Sequence, residues 1–182
     1  MSTSESLTAA QTLLNGLWET HTTSEFAHKS ADEAIATMTD NPQVIHVPTL
    51  IGGRGREQLY TFYAKHFLNQ LPSDLEIVLL SRTIGDSRVV DEMVVRFTHS
   101  TCMDWVLPRI APTHKRIEFA LVVIVGFENG KIASERVYYD NATILRQIGL
   151  LPDPQLPVLG PESARALLEP IPLNQLLHRT TR

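Results

Sequence analysis

Near the start of the chain, apolar residues recur at three- and four-residue steps: Leu7, Ala10, Leu13, Leu14, Leu17 and Trp18. This spacing predicts an amphipathic helix with one buried face. A second, short helix is expected over Ala31–Met38, where Ser30 and Glu33 have capping-box spacing. Asn41-Pro42 should stop it, and the β-branched run Val44-Ile45-His46-Val47 reads as a short strand. The turn Gly52-Gly53-Arg54-Gly55 then leads into a third amphipathic helix, Arg56–Leu68, which carries Leu59, Phe62, Tyr63 and Phe67.

From Leu75 the period changes to two. Strands are expected at Leu75–Ile84, Arg88–Trp105, Arg116–Phe127 and Lys131–Tyr139, with Gly85-Asp86-Ser87 as a turn. Asn129-Gly130 is a strong hairpin signal, because both residues adopt positive φ at little cost. Asp140–Ile148 returns to helical spacing and stops at Gly149. Helices followed by long antiparallel strands define an α+β class. Ile117, Phe119, Leu121, Val123, Val125 and Phe127 share one strand face, and Ala120, Val122 and Ile124 make the other face apolar too. A curved antiparallel sheet, wrapped around the N-terminal helices, would enclose a pocket and offer its outer side to a second copy. Six of the eleven prolines lie at 152, 154, 157, 161, 170 and 172. They divide the chain into a domain over residues 1–151 and a proline-rich C-terminal extension over 152–182, with one short helix starting at Pro161.

Composition narrows the class. The 182 residues suit one compact domain, and 43% hydrophobic content excludes general disorder. A net charge of −4 removes the electrostatic case for binding nucleic acid. A single cysteine, Cys102, excludes an internal disulfide framework. No apolar run approaches the roughly 20 residues of a membrane span, and the N-terminus lacks the features of a secretory signal. The expectation is a cytoplasmic protein with no membrane association.

Candidate chemistry lies in four places. Alternation along Arg88–Trp105 sets Met93, Val95, Phe97, His99, Thr101, Met103 and Trp105 on one face. His99 is then either a core histidine bonded to backbone or a pocket imidazole with a movable pKa. Asp140, beside Tyr138 and Tyr139, is either the N-cap of the last helix or a carboxylate at a pocket mouth. His46 pairs with Val44 on its strand and can face the same cavity. Tyr63 could point its hydroxyl inward, and Trp105 could line the entrance. The seven histidines show no H-x-H or H-E-x-x-H spacing, and no P-loop, Rossmann or nucleophile-elbow motif is present. No metal or cofactor is expected.

Several segments together resemble the SnoaL-like polyketide cyclase branch of the nuclear transport factor 2-like superfamily. They are Gly55-Arg56-Glu57 with Phe62 and Phe67, Thr98-His99, Ala111-Pro112-Thr113, the Phe127–Ile132 hairpin, and Tyr139-Asp140 leading to Leu145–Leu150. The resemblance covers the chain to about Leu151. It implies a cone-shaped cavity, a homodimer, and no metal or organic cofactor. It also implies a cavity aspartate working as acid and base, whose counterpart is Asp140, with His99 matching the branch's Thr-His pair. His114, where the family often has glycine, and the proline-rich tail depart from the pattern.

The leading expectation is a cofactor-independent enzyme acting on a small apolar carbonyl compound by isomerisation, aldol-type cyclisation or elimination. Its catalytic set would be Asp140, His99 and His46, with Trp105, Tyr63, Tyr138, Phe97 and Met93 binding substrate. The alternatives are an epoxide or lactone hydrolase using a carboxylate-activated water, and a non-catalytic small-molecule-binding or dimerisation module.

Overall fold

A computed structural model describes residues 6–178. Helix α1 (Ala9–Phe26) starts at a full capping box, Thr8 with Gln11, and runs two turns past the apolar stripe. Helix α2 (Ala31–Ala36) is capped by Ser30, whose side chain accepts from the Glu33 N–H. Strand β1 (Met38–His46) takes in Asn41-Pro42 as an irregular stretch, its register shifting between Met38 and Gln43. Proline is tolerated there because the ladder is already interrupted.

Strand β2 (Ile51–Arg54) leads into α3 (Gly55–Thr61), which then widens into a π-helical segment, Phe62–Phe67. Bonding from i to i+5 brings residues five apart onto one side. Phe62 and Phe67 accordingly stack at 5.5 Å with an interplanar angle of 19°. The predicted third helix is thus present, in two different windings.

Strands β3 (Glu76–Ile84), β4 (Arg88–Thr98), β5 (Arg116–Glu128) and β6 (Lys131–Tyr139) complete a six-stranded sheet of order β2-β1-β6-β5-β4-β3. β1 and β6 are parallel and the other neighbours antiparallel. Asn129 and Gly130 close the β5–β6 hairpin at φ 51° and 69°. The sheet is curved and unclosed, with α1 lying against β3, β4 and β6.

Strand β4 ends at Thr98, seven residues short of the expected Trp105. His99 turns the chain back through two backbone bonds, its N–H to Lys115 and its carbonyl from the His114 N–H. Trp105 therefore reaches the interior on a loop. Tyr139 Oη and Thr49 Oγ1 both donate to its carbonyl, at 3.0 and 3.2 Å, and hold it there.

Helix α4 (Asn141–Ile148) ends at Gly149, φ 86°, in the left-handed conformation glycine allows. β6 stops opposite Leu121, so the Glu118 backbone has no strand partner on that side. The Gln147 amide replaces it with two bonds, at 2.9 and 2.8 Å. In the extension, α5 (Glu162–Arg165) packs on β5 of its own sheet, with Ala164 buried and Arg165 bonded to Glu118 at 3.1 Å. Among the described residues no helix is long and apolar enough to cross a membrane.

Candidate active site

The concave face of the sheet, α1 and the π-helical segment enclose a cavity of about 440 Å³. Strand alternation supplies most of its wall: Val44, Leu121, Val123, Met93, Val95 and Val137. Phe62, Phe67 and Trp105 close it with aromatic surface. A hollow of this size and lining suits a small, largely apolar molecule.

Two charged clusters interrupt the apolar wall. The first is built on α1, where the buried face of Trp18 continues at helical steps through His21 and Glu25. β6 brings Glu135 to the same place, inward-facing like Val137 two residues on. His21 is 0% exposed, and its Nε2 lies 3.2 Å from Glu25 Oε1, 3.1 Å from Glu135 Oε1 and 3.3 Å from Tyr63 Oη. The Glu135 oxygen meets the ring nitrogen as an ion pair without a hydrogen bond. On the other side of the ring, Nδ1 is 2.7 Å from Thr37 Oγ1. That hydroxyl donates its hydrogen to the Ala34 carbonyl at 2.6 Å, so it accepts from the imidazole. The Nδ1–H is therefore fixed, and Nε2 is the atom presented to the carboxylates. Glu25 and Glu135 both reach the cavity wall.

Burial lowers the His21 pKa, but the charges of Glu135 and Glu25 outweigh it and raise it from 6.5 to about 10. Burial pushes the Glu25 carboxyl upward, against the opposing pull of His21. Burial, followed by the two carboxylate charges, keeps the Tyr63 phenol protonated well above its usual range.

The second cluster centres on Asp91 of β4. It takes Trp18 Nε1–H at 2.8 Å and a two-pronged Arg82 guanidinium, both contacts at 2.7 Å. All three residues line the cavity, and every oxygen of Asp91 is engaged.

The sequence-predicted residues divide between the cavity and other places. His46, Trp105 and Met93 line the cavity. His46 Nδ1 and Trp105 Nε1 are buried with no hydrogen-bond partner, and their rings are 5.5 Å apart. Burial among Phe62, Phe67, Trp105 and Tyr139 lowers the His46 pKa to about 3, so the imidazole is neutral. Tyr63 is buried in the His21 cluster behind the wall. Phe97 is in the core, packed on Trp105 and Phe119.

Three expected residues lie elsewhere. Asp140 is exposed, and both its oxygens cap α4, from Ala142 N–H at 2.9 Å and Thr143 Oγ1 at 2.7 Å. The helix-cap alternative is the one its geometry follows. Tyr138 is 41% exposed on the outer side of β6. His99 is buried, but it clasps the β4–β5 connection by accepting from the Thr113 N–H at 3.3 Å, and burial, then His114, lowers its pKa. It lies one residue past the end of β4 and is not among the residues of the cavity wall.

The architecture is a curved α+β sheet with charged side chains set in an apolar hollow. The sequence model of the SnoaL-like polyketide cyclases matches residues 8–148, and the chain belongs to that family. No curated protein matches it. Among solved structures, TsrD from Streptomyces laurentii is similar at 18% identity and a TM-score of 0.59, over 80% of this chain and 100% of that one. A protein from Jannaschia sp. CCS1 named as a SnoaL-like polyketide cyclase gives 19% and 0.61, over 79% and 96%. An LEH-like epoxide hydrolase from M. tuberculosis gives 15% and 0.56, over 78% and 89%. At these identities the likeness is one of fold.

Proposed function

We propose that the protein is an enzyme performing acid/base chemistry on a small apolar carbonyl compound held in this cavity, by isomerisation, aldol-type cyclisation or elimination. The observation that carries the reading is an apolar hollow of about 440 Å³ with two buried glutamates, Glu25 and Glu135, in its wall. A carboxylate in dry surroundings is a stronger base than one in water.

Glu25, with Glu135 as its neighbour, takes a proton from the carbon next to the carbonyl. The electron pair moves onto the carbonyl oxygen, forming an enolate. The unpartnered Trp105 Nε1–H donates to that oxygen as its charge grows, and the neutral His46 ring, whose Nδ1 also lacks a partner, would donate in the tautomer that carries its hydrogen there. The carboxylic acid then returns its proton to another carbon (isomerisation), to the oxygen of a second carbonyl that the enolate carbon attacks (cyclisation), or to a group expelled from the β-carbon (elimination). Side chains alone supply these steps. This reading also retains a homodimer, paired through the outer sheet face at Ala120, Val122 and Ile124, and a reducing, cytoplasmic setting.

The test is deuterium uptake. Incubated in heavy water with a panel of small cyclic ketones and β-diketones, the protein should speed exchange at the α-carbon, read by NMR. A folded Glu25→Gln variant that exchanges as fast as the parent overturns the assignment.

A second reading, epoxide or lactone hydrolysis, draws on the Asp91–Arg82 pair in the same wall and on the fold shared with the LEH-like epoxide hydrolase. Oxygen from labelled water in the product separates hydrolysis from proton transfer. The third, a non-catalytic module, is less well supported, because the cavity is open and its wall carries buried ionisable groups.

A further inference from the structure

We propose that His21, Glu25 and Glu135 also form a binding site for one divalent transition-metal ion of the Zn²⁺ class, in competition with the acid/base chemistry. The three side chains offer one nitrogen and two carboxylate oxygens, all within 4.8 Å of one another and all buried. A metal bonded at about 2.0–2.1 Å holds neighbouring ligand atoms about 2.9–3.4 Å apart. The separations from His21 Nε2 are 3.1 Å to Glu135 and 3.2 Å to Glu25, edges of such a polyhedron. Tyr63 Oη lies 3.3 Å from the same nitrogen and borders the site.

Two independent features point to a ligand. Glu135 is 4% exposed, yet its Oε1 has no hydrogen-bond partner. A buried carboxylate oxygen balanced only by the His21 charge 3.1 Å away, with no hydrogen bond, is one that a directly bonded cation satisfies more fully. Thr37 holds the Nδ1 hydrogen, the outer-shell arrangement in which Nε2, once an arriving ion displaces its proton to solvent, presents its lone pair to the metal. The donor set and charge select the ion. Two carboxylates balance a divalent cation, and the imidazole favours Zn²⁺ over Mg²⁺ or Ca²⁺. Glu25 and Glu135 also line the cavity, which gives the ion a way in.

Binding itself rests on this geometry. Competition rests on the proposed function, because the ion occupies the oxygens that would move protons. Chelator-treated full-length protein is titrated with Zn²⁺ by calorimetry and with Co²⁺ by visible absorption. One ion per chain should bind, with the intense d–d bands of a low-coordinate Co²⁺ site, and α-deuteration should fall as Zn²⁺ fills it. Thr37→Val should weaken binding about 10–100-fold, and His21→Gln or Glu135→Gln by more. The double variant His28→Asn/His66→Asn, which removes two surface His–carboxylate pairs, should bind as the parent does.

The proposal is overturned if no ion binds, if affinity is unchanged in Thr37→Val and Glu135→Gln, or if exchange continues at full Zn²⁺ occupancy. Thr37→Val keeps the ligands in place and serves if the core variants do not fold. Absence of exchange in the metal-free parent, with ion binding intact, would instead count against the acid/base reading.

Discussion

Glu118 and Glu135 lie on adjacent strands, are almost equally buried at 7% and 4%, and face opposite sides of the sheet. On the outer side, each Glu118 oxygen takes an arginine at 3.1 Å, Arg96 from β4 and Arg165 from the C-terminal extension. Arg116, Glu76 and Asp74 extend this into a solvent-facing ladder. On the inner side, Glu135 has no arginine, leaves one oxygen unbonded and shares one histidine with Glu25. The same residue type is compensated on one face and left available on the other. A buried charge with complete partners holds structure, and one with partial partners in an apolar hollow is positioned for chemistry.

Activity should separate the two glutamates most strongly. Glu25→Gln or Glu135→Gln should lower α-deuteration by about 10²–10⁴-fold, whereas Glu118→Gln should leave it near the parent rate. Stability gives the next effect. His21→Leu leaves two carboxylates in the interior without their shared cation, which should cost about 3–5 kcal/mol in denaturant unfolding.

His46 supplies a pH test of the inner face. Its folded pKa, about 3, lies below its unfolded value of 6.5, so the unfolded chain binds the extra proton between these limits. Stability should therefore be fully present above about pH 6.5 and fall as pH drops toward 3, at up to about 1.4 kcal/mol per pH unit. His46→Phe should flatten that part of a melting-temperature profile. Asp140→Ala should cost about 1 kcal/mol as a lost helix cap, with deuteration unchanged. Arg165→Ala, removing a guanidinium whose side chain is 51% exposed, should cost under about 1 kcal/mol.

The scaffold was more legible in sequence than the site. The Asn129-Gly130 turn, the limits of β6, the Ser30 cap and the Gly149 stop all depend on neighbours in the chain. The site depends on elements over a hundred residues apart, since His21 on α1 meets Glu135 on β6. Part of the signal was nevertheless there. His21 and Glu25 continue the Trp18 face at steps of three and four, and Asp91 precedes Met93 by two on the inward face of β4. Polar residues on such a face break the apolar pattern, so periodicity alone ends the stripe at Trp18 and gives His21 and Glu25 no weight. Trp105 reaches the cavity wall on a clamped loop, a position that strand alternation does not encode. Asp140 showed that a spacing shared with a cyclase motif is also the spacing of a helix cap.

The most direct test of the central claim is a crystal structure with a small apolar ketone that lacks exchangeable α-hydrogens. The ketone should lie in the cavity with its carbonyl oxygen about 3 Å from a ring nitrogen of His46 or Trp105, and with its α-carbon turned to Glu25 and Glu135. A ketone bound with its carbonyl directed away from both rings, or seated outside the cavity beside Asp140, would contradict it.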